Sequence, residues 1–429
     1  MQYLKTFRDL LPDPMQLLLL NRLCLPGLPA CLCGRLLAKF HSLQKERSQI
    51  LKTKVAALKA ESGSHSPSID TVLSEIPELK IKVDACFLSN PYATELFLKK
   101  MKEDLLDTNK FRDVLEYYPP QNNAVAKYIS KAIGINHKNI FVGNGAIEVI
   151  QAIMHNYISK KICVIIPTFS SYYEFIKPGQ EVVYYKLQKE NNYEMDVNDY
   201  IEFVKLHKPD TIVLINPNNP NGGYLSKANV LHILENLPEV TNFFVDESFI
   251  HFAYEDDGLS QITSEALINR FNNLVIIKSM SKDFGIAGIR AGYGVMSEER
   301  VTQLLSNGYL WNVSGLANYF FNIYSEPDFI AEYDIARKKY IMNTKMFLTE
   351  LNNINTIKAY PSKANFALIE LINDGVTSFD FSMDLLANDG IYVRDCSDKI
   401  GLDGQFIRVA SRSFEENLKI IDAIKKTTA

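Results

Sequence analysis

Ile276-Ile277-Lys278-Ser279-Met280-Ser281-Lys282-Asp283-Phe284-Gly285 starts as an apolar run and breaks into polar residues that end on a glycine. A short, β-branched run of this kind reads as a strand buried on both faces, and the break marks its carboxyl mouth. The same signature recurs upstream. Residues 162–166, 211–215 and 243–245, like 274–277, are uninterrupted apolar runs. They give way at once to Pro167-Thr168-Phe169, to Asn216-Pro217-Asn218-Asn219-Pro220-Asn221-Gly222, to Asp246-Glu247-Ser248-Phe249 and to Ser279-Met280-Ser281-Lys282. Amphipathic helical stretches alternate with the runs, which predicts an α/β sheet. In open α/β sheets the ligand crevice lies outside the carboxyl ends of the strands, so the four clusters point to one site.

A phosphate cradle is expected at the same edge. Residues 139–142 read as a strand, Gly143-Asn144-Gly145 as a tight turn, and Ile147, Ile150, Ile153 and Met154 fall at helical spacing. The N–H groups of Gly145 and Ala146 would then open a helix, where orphan donors and the dipole favour a phosphate. Ser279, and Arg290 in Gly288-Ile289-Arg290-Ala291-Gly292-Tyr293, supply a hydroxyl and a guanidinium that could complete the cup.

Lys282 and Asp246, 36 residues apart, stand at the mouths of two of these strands. Pyridoxal phosphate chemistry needs that pair of groups: a lysine amine for the cofactor's aldehyde, and an anion that keeps the ring nitrogen protonated so that the ring accepts electrons.

Composition fits a globular enzyme. The 429 residues are 47% hydrophobic and 22% charged, enough for a large core in two or more lobes. The net charge of −4 offers no global attraction for nucleic acid, yet residues 1–65 carry ten Lys or Arg against four acids, leaving −10 for the rest. The six cysteines are too few and scattered for a disulfide framework, which favours a reducing compartment; Cys24, Cys31 and Cys33 lack a fourth ligand at zinc spacing, so no metal is expected. Residues 15–40 are apolar, basic and free of acids, as in a targeting peptide or a membrane-surface helix, but residues 17–20 form far too short a run to span a membrane. Cytoplasm is the expected compartment, with an organelle address as the alternative. Residues 41–60 read as a polar helix and 62–68 as a Ser/Gly/Pro linker.

From about Asp84 to Thr427 the chain resembles the fold-type-I pyridoxal phosphate aminotransferases, closest to the branch of histidinol-phosphate aminotransferase and threonine-phosphate decarboxylase. The resemblance implies a large domain on a mostly parallel seven-stranded sheet (residues 116–315), and a small α+β domain made from residues 316–429 with an N-terminal arm, 69–115, after an extension, 1–68. It implies that Lys282 bonds the cofactor, Asp246 pairs with its ring nitrogen, Asn219 meets the ring hydroxyl and Phe169 stacks on the ring. Tyr118, in Tyr-Tyr-Pro-Pro-Gln, resembles the tyrosine that reaches the cofactor phosphate of the other subunit, implying a homodimer. Arg408 matches the arginine that binds an amino-acid carboxylate, Arg394 the one that binds a substrate phosphate, and Asn90 lies in the substrate loop. The expected activity is amino-group transfer between an amino acid and a phosphorylated or phosphonylated aldehyde or ketone, with decarboxylation of a phosphorylated amino acid as the alternative.

Two departures bear on the substrate. Phe249 stands where the family places a tyrosine, and Gly-Asn-Gly-Ala-Ile-Glu with Asp-Glu-Ser-Phe-Ile-His-Phe leans toward the decarboxylase sequences. A remote further reading is a non-enzymatic regulator that uses the basic N-terminal segment, opposed by the intact Lys282, Asp246 and Asn219 set. The histidines, His251 among them, show no ligand spacing and are read as structural.

Overall fold

The computed structural model describes residues 49–255, 258, 259, 261–309, 311–372 and 375–428. The expectations for residues 15–40 and for Cys24, Cys31 and Cys33 lie outside these. The chain divides into two compact units between Leu79 and Lys80. The first includes a helix over residues 49–61, the described part of the polar helix expected at 41–60, and the helix Ile69–Glu75, capped by the Ser68 hydroxyl. Among the described residues no helix is long and apolar enough to cross a membrane.

In the second unit the strands are β1 (Val83–Ala85), β2 (Ile140–Asn144), β3 (Lys161–Ile166), β4 (Glu181–Lys186), β5 (Thr211–Ile215) and β6 (Asn242–Asp246). A short hairpin, β7 (Tyr254–Glu255) and β8 (Gly258–Leu259), precedes β9 (Leu274–Ser279) and β10 (Ala291–Val295). The last four are β11 (Ile357–Ala359), β12 (Phe366–Leu371), β13 (Ile391–Asp395) and β14 (Phe406–Ala410).

The large sheet has seven strands in the order β2-β10-β9-β6-β5-β3-β4, and only β10 runs against the others. The apolar runs of the sequence are its centre. Along β5, Ile212 and Leu214 enter the core on one face while Val213 and Ile215 enter the core on the other. Phe243 and Val245 against Phe244, and Leu274 and Ile276 against Val275 and Ile277, divide in the same way. Two-sided burial is why these strands lack polar alternation. The fold is thus the fold-type-I α/β architecture, with its second, smaller sheet in the order β1-β13-β14-β12-β11. β1 pairs with β13, so both ends of the second unit build that sheet.

Candidate active site

Parallel β3, β5, β6 and β9 open their carboxyl ends on one side of the sheet, and the four polar clusters gather there. The asparagine-rich loop after β5 divides its labour. Asn216 bonds Leu225 through both of its amide atoms, at 2.8 and 2.9 Å. Asn218 donates to the Pro167 carbonyl and to Asn221 Oδ1, and accepts from the Thr168 hydroxyl. Asn218 thus stitches the loops after β3 and β5 together, while Asn216 closes the β5 loop on itself. Asn219 is the exception: its Oδ1 accepts from Arg408 Nη1 at 2.7 Å, which turns its amide N–H groups away from the arginine and available to an acceptor such as a ring hydroxyl.

The structure brings together the residues expected to form a phosphate cup. Gly145 caps the helix Ala146–Tyr157 with φ of 75°, and no side-chain hydrogen bond caps that N-terminus. A Cβ at Gly145 would collide with the Arg290 guanidinium, and one at Gly292 with the Ala146 amide. Glycine is required at both positions by these close approaches. Ser279 ends β9 with its Oγ accepting from Ser281 N–H, so the hydroxyl proton is free to donate.

Asp246 is buried, accepting from the Tyr172 hydroxyl and from the Ser248 amide, each at 2.9 Å. Burial raises its pKa, and the bonds from Ser248 and Tyr172 only partly offset this. A carboxylate so placed is stabilised by a cationic N–H brought to it, as a protonated pyridine would be. Tyr172, wholly buried, was not legible in the sequence as a site residue. Phe169 packs at the edge of the core beneath the crevice.

Lys282 lies on the turn after β9. Burial and the charges of Arg408 and Arg290 lower its ammonium pKa to about 8, against weaker support from Asp84 and Asp246. An amine attacks a carbonyl only when neutral. The rate at which cofactor-free protein takes up pyridoxal phosphate, followed by absorbance, is therefore expected to climb with pH up to about 8 and then level off. A rate that is flat between roughly pH 6 and pH 9 would contradict the lowered pKa.

Two findings add to the sequence reading around Lys282. Asn90, expected in the substrate loop, is fully buried and its amide is engaged within the protein. Its Oδ1 accepts from Tyr92 and Ala93 N–H to cap the helix Pro91–Met101, and its Nδ2 donates to the Asp283 carbonyl at 3.1 Å. Its own N–H donates to the Lys282 carbonyl at 2.9 Å, so Asn90 clamps the lysine turn. Beneath that turn lies an ionic cluster. Asp283, with a fully buried side chain, accepts from Lys278 Nζ at 2.6 Å and lies 2.8 Å from His251 Nδ1. Burial alone would raise the Asp283 carboxyl, but Lys278 and His251 outweigh it and hold the pKa at about 2. Burial and Lys278 push His251 below its usual pKa, so it is neutral near pH 7. A lysine inside the apolar run of β9 was the available signal, because an ammonium is rarely buried without a partner.

Arg408 and Arg394 are register partners on β14 and β13. Arg408 also donates to the Cys86 carbonyl at 2.7 Å, while its Nε is buried without an acceptor. Arg394 pairs with Asp398 at 2.6 Å. Tyr118 is 86% exposed, its ring 6.0 Å from that of Trp311. The residues present fit pyridoxal phosphate: a cup for the phosphate, an anion for the ring nitrogen, an amide for the hydroxyl and an amine for the aldehyde.

The profile of the aminotransferase class I and II family matches residues 86–424. The L-serine phosphate decarboxylase of Campylobacter jejuni is 54% identical over 91% of this chain and 98% of its own length. The structure of a decarboxylase from Sulfurospirillum multivorans superposes with a TM-score of 0.85 at 42% identity, covering 90% of this chain and 98% of that one. The histidinol-phosphate aminotransferase of Clostridium acetobutylicum superposes with a TM-score of 0.68 at 29% identity, covering 81% of this chain and 99% of that one.

Proposed function

Because this chain belongs to the class I and II aminotransferase family and works with pyridoxal phosphate, we propose that it decarboxylates O-phospho-L-serine. One observation carries this choice over amino-group transfer: the identity of 54%, spanning almost all of a relative named for that reaction. The expectation that ranked transamination first gives way to the decarboxylation held as its alternative.

When bound, the cofactor supplies an aldehyde that condenses with the substrate amine and a ring that takes up the electron pair left by the departing group. Gly145, Ala146, Ser279 and Arg290 would hold its phosphate, Asp246 its ring nitrogen and Asn219 its hydroxyl, and Phe169 would lie against its ring. Lys282, the amine that would bond the cofactor's aldehyde, would also be the group that holds a proton for the reacting carbon. The carbon–carbon bond breaks to release carbon dioxide, and the Lys282 ammonium returns a proton to the same carbon, so that O-phosphoserine and one proton become O-phosphoethanolamine and carbon dioxide. A departing carboxylate loses its charge. An arginine clamped on it would stabilise the starting state more than the transition state. In this reading Arg408 therefore joins Arg394 on the substrate phosphate, a revision of the carboxylate role that the resemblance implied.

The test is incubation of the holoenzyme with O-phospho-L-serine and no keto acid. Carbon dioxide and O-phosphoethanolamine in equal amounts are expected; product that forms only when a keto acid is added would restore the transaminase reading.

The exposed Tyr117, Tyr118, Leu115 and Trp311 form an apolar patch that supports a homodimer joined there. Sedimentation of the holoenzyme is expected to give twice the chain mass of 48.7 kDa, and a single-chain mass would discard it.

A further inference from the structure

The Asp246 carboxylate receives one donor on each oxygen. Ser248 N–H, from the turn that Asp246 itself begins, bonds Oδ1, and the Tyr172 hydroxyl bonds Oδ2, each at 2.9 Å. Tyr172 comes from further away. It lies on the short helix Ser171–Glu174 that follows Phe169 in the connection after β3, and β5 separates β3 from β6 in the sheet. The backbone of Asp246 is held from both sides, by its register with Ile215 on β5 and with Ile277 on β9. Strand pairing thus fixes where the side chain begins, and the Tyr172 hydroxyl fixes how the carboxylate is turned.

The Tyr172 ring is fully buried in the core that the helix Ala146–Tyr157 shares with the sheet. Phenylalanine would fill that core as well. A hydroxyl carried into it is costly unless bonded, and Asp246 supplies the acceptor. Burial first, and then the charge of Asp246, push the phenol well above its ordinary pKa, so it keeps its proton and donates. A carboxylate tied at both oxygens presents its remaining lone pairs in fixed directions.

We propose that Tyr172 is a positioning residue for the cofactor: its hydroxyl holds Asp246 as an oriented anion, so that the carboxylate meets the protonated ring nitrogen of pyridoxal phosphate. This rests on the pairing of Asp246 with that nitrogen proposed above. It does not depend on which reaction follows, because decarboxylation and amino-group transfer both draw electrons into the ring. One short connection would then serve the cofactor twice, with Phe169 against the ring and Tyr172 behind the partner of its nitrogen.

The test compares pyridoxal phosphate with the analogue that has carbon in place of the ring nitrogen. Full-length wild type and Tyr172→Phe are loaded with each, and dissociation constants are read by equilibrium dialysis with no substrate present. Wild type is expected to hold pyridoxal phosphate more tightly than the analogue. Tyr172→Phe should lose about 10-fold in affinity for pyridoxal phosphate and bind the analogue as wild type does, the loss of one hydrogen bond to a charged group. Equal weakening of both ligands would make Tyr172 a packing residue and overturn the proposal. A variant that keeps the wild-type preference would also overturn it, leaving the pairing of Asp246 with the ring nitrogen intact. Equal affinity of wild type for the two ligands would instead remove that pairing, and the proposal with it. Should Tyr172→Phe fold poorly, Tyr172→Met, which also lacks the hydroxyl, serves the same comparison.

Discussion

Lys282→Ala is expected to lower turnover of O-phospho-L-serine by at least about 10³-fold, because it removes both the exchangeable amine and the proton donor. The purified variant should still fold, since alanine at this half-buried position removes no partner of the Asp283 cluster and leaves the backbone bond from Asn90 in place. Treatment with borohydride should fix the cofactor covalently to wild type and not to the variant, as read by the mass of the peptide containing residue 282. A variant that still carried borohydride-stable cofactor on another lysine would defeat the assignment. The neighbouring Lys278 is the natural suspect in such a case, but it is spent on Asp283 at 2.6 Å and on the Glu247 carbonyl at 3.3 Å.

The second large effect concerns stability. Asp283→Asn leaves the Lys278 ammonium buried without its counter-charge, and breaking a buried pair from one side costs about 3–5 kcal/mol. Urea denaturation should show that loss. The double variant Lys278→Met with Asp283→Leu should recover part of it, because replacing a buried pair by apolar groups of similar size is far less costly. The pH sign follows from the lowered carboxyl pKa. An aspartate held at about 2, against the ordinary 3.8, contributes stability that is complete above the ordinary value and is lost as pH falls through about 2. Wild type should therefore lose stability in that acid window, and Asp283→Asn should lose less there. Equal stability of Asp283→Asn and wild type at pH 7 would mean that the pair contributes nothing net. Because Asp283 adjoins Lys282 and Asn90 ties both carbonyls, any loosening of this cluster should also misplace the reactive amine.

The sequence by itself determined the sheet and the chemistry of its mouth. Short β-branched apolar runs with no polar alternation read as strands buried on both faces, and the polar residues that end them meet at one edge; Lys282, Asp246 and Asn219 were picked out for that reason, and Gly145 with Arg290 from a glycine turn that opens a helix. Tertiary structure alone decided how neighbouring polar residues share the work. Of the asparagines after β5, Asn219 is the one bonded to Arg408, because Asn218 is consumed in joining two loops and Asn216 in closing its own. That Asn90 caps a helix and clamps the lysine turn was not legible, since its partner Asp283 lies 193 residues away. The Asp283 cluster draws His251 from the connection after β6 and Lys278 from strand β9, and no local periodicity reports such a meeting. The same holds for Arg394 and Arg408, which become neighbours only through the antiparallel register of β13 and β14. Local sequence sets strand and turn by short-range sterics and hydrophobic period. Pairing of charges across the fold depends on positions of a few ångströms that only the packed chain defines.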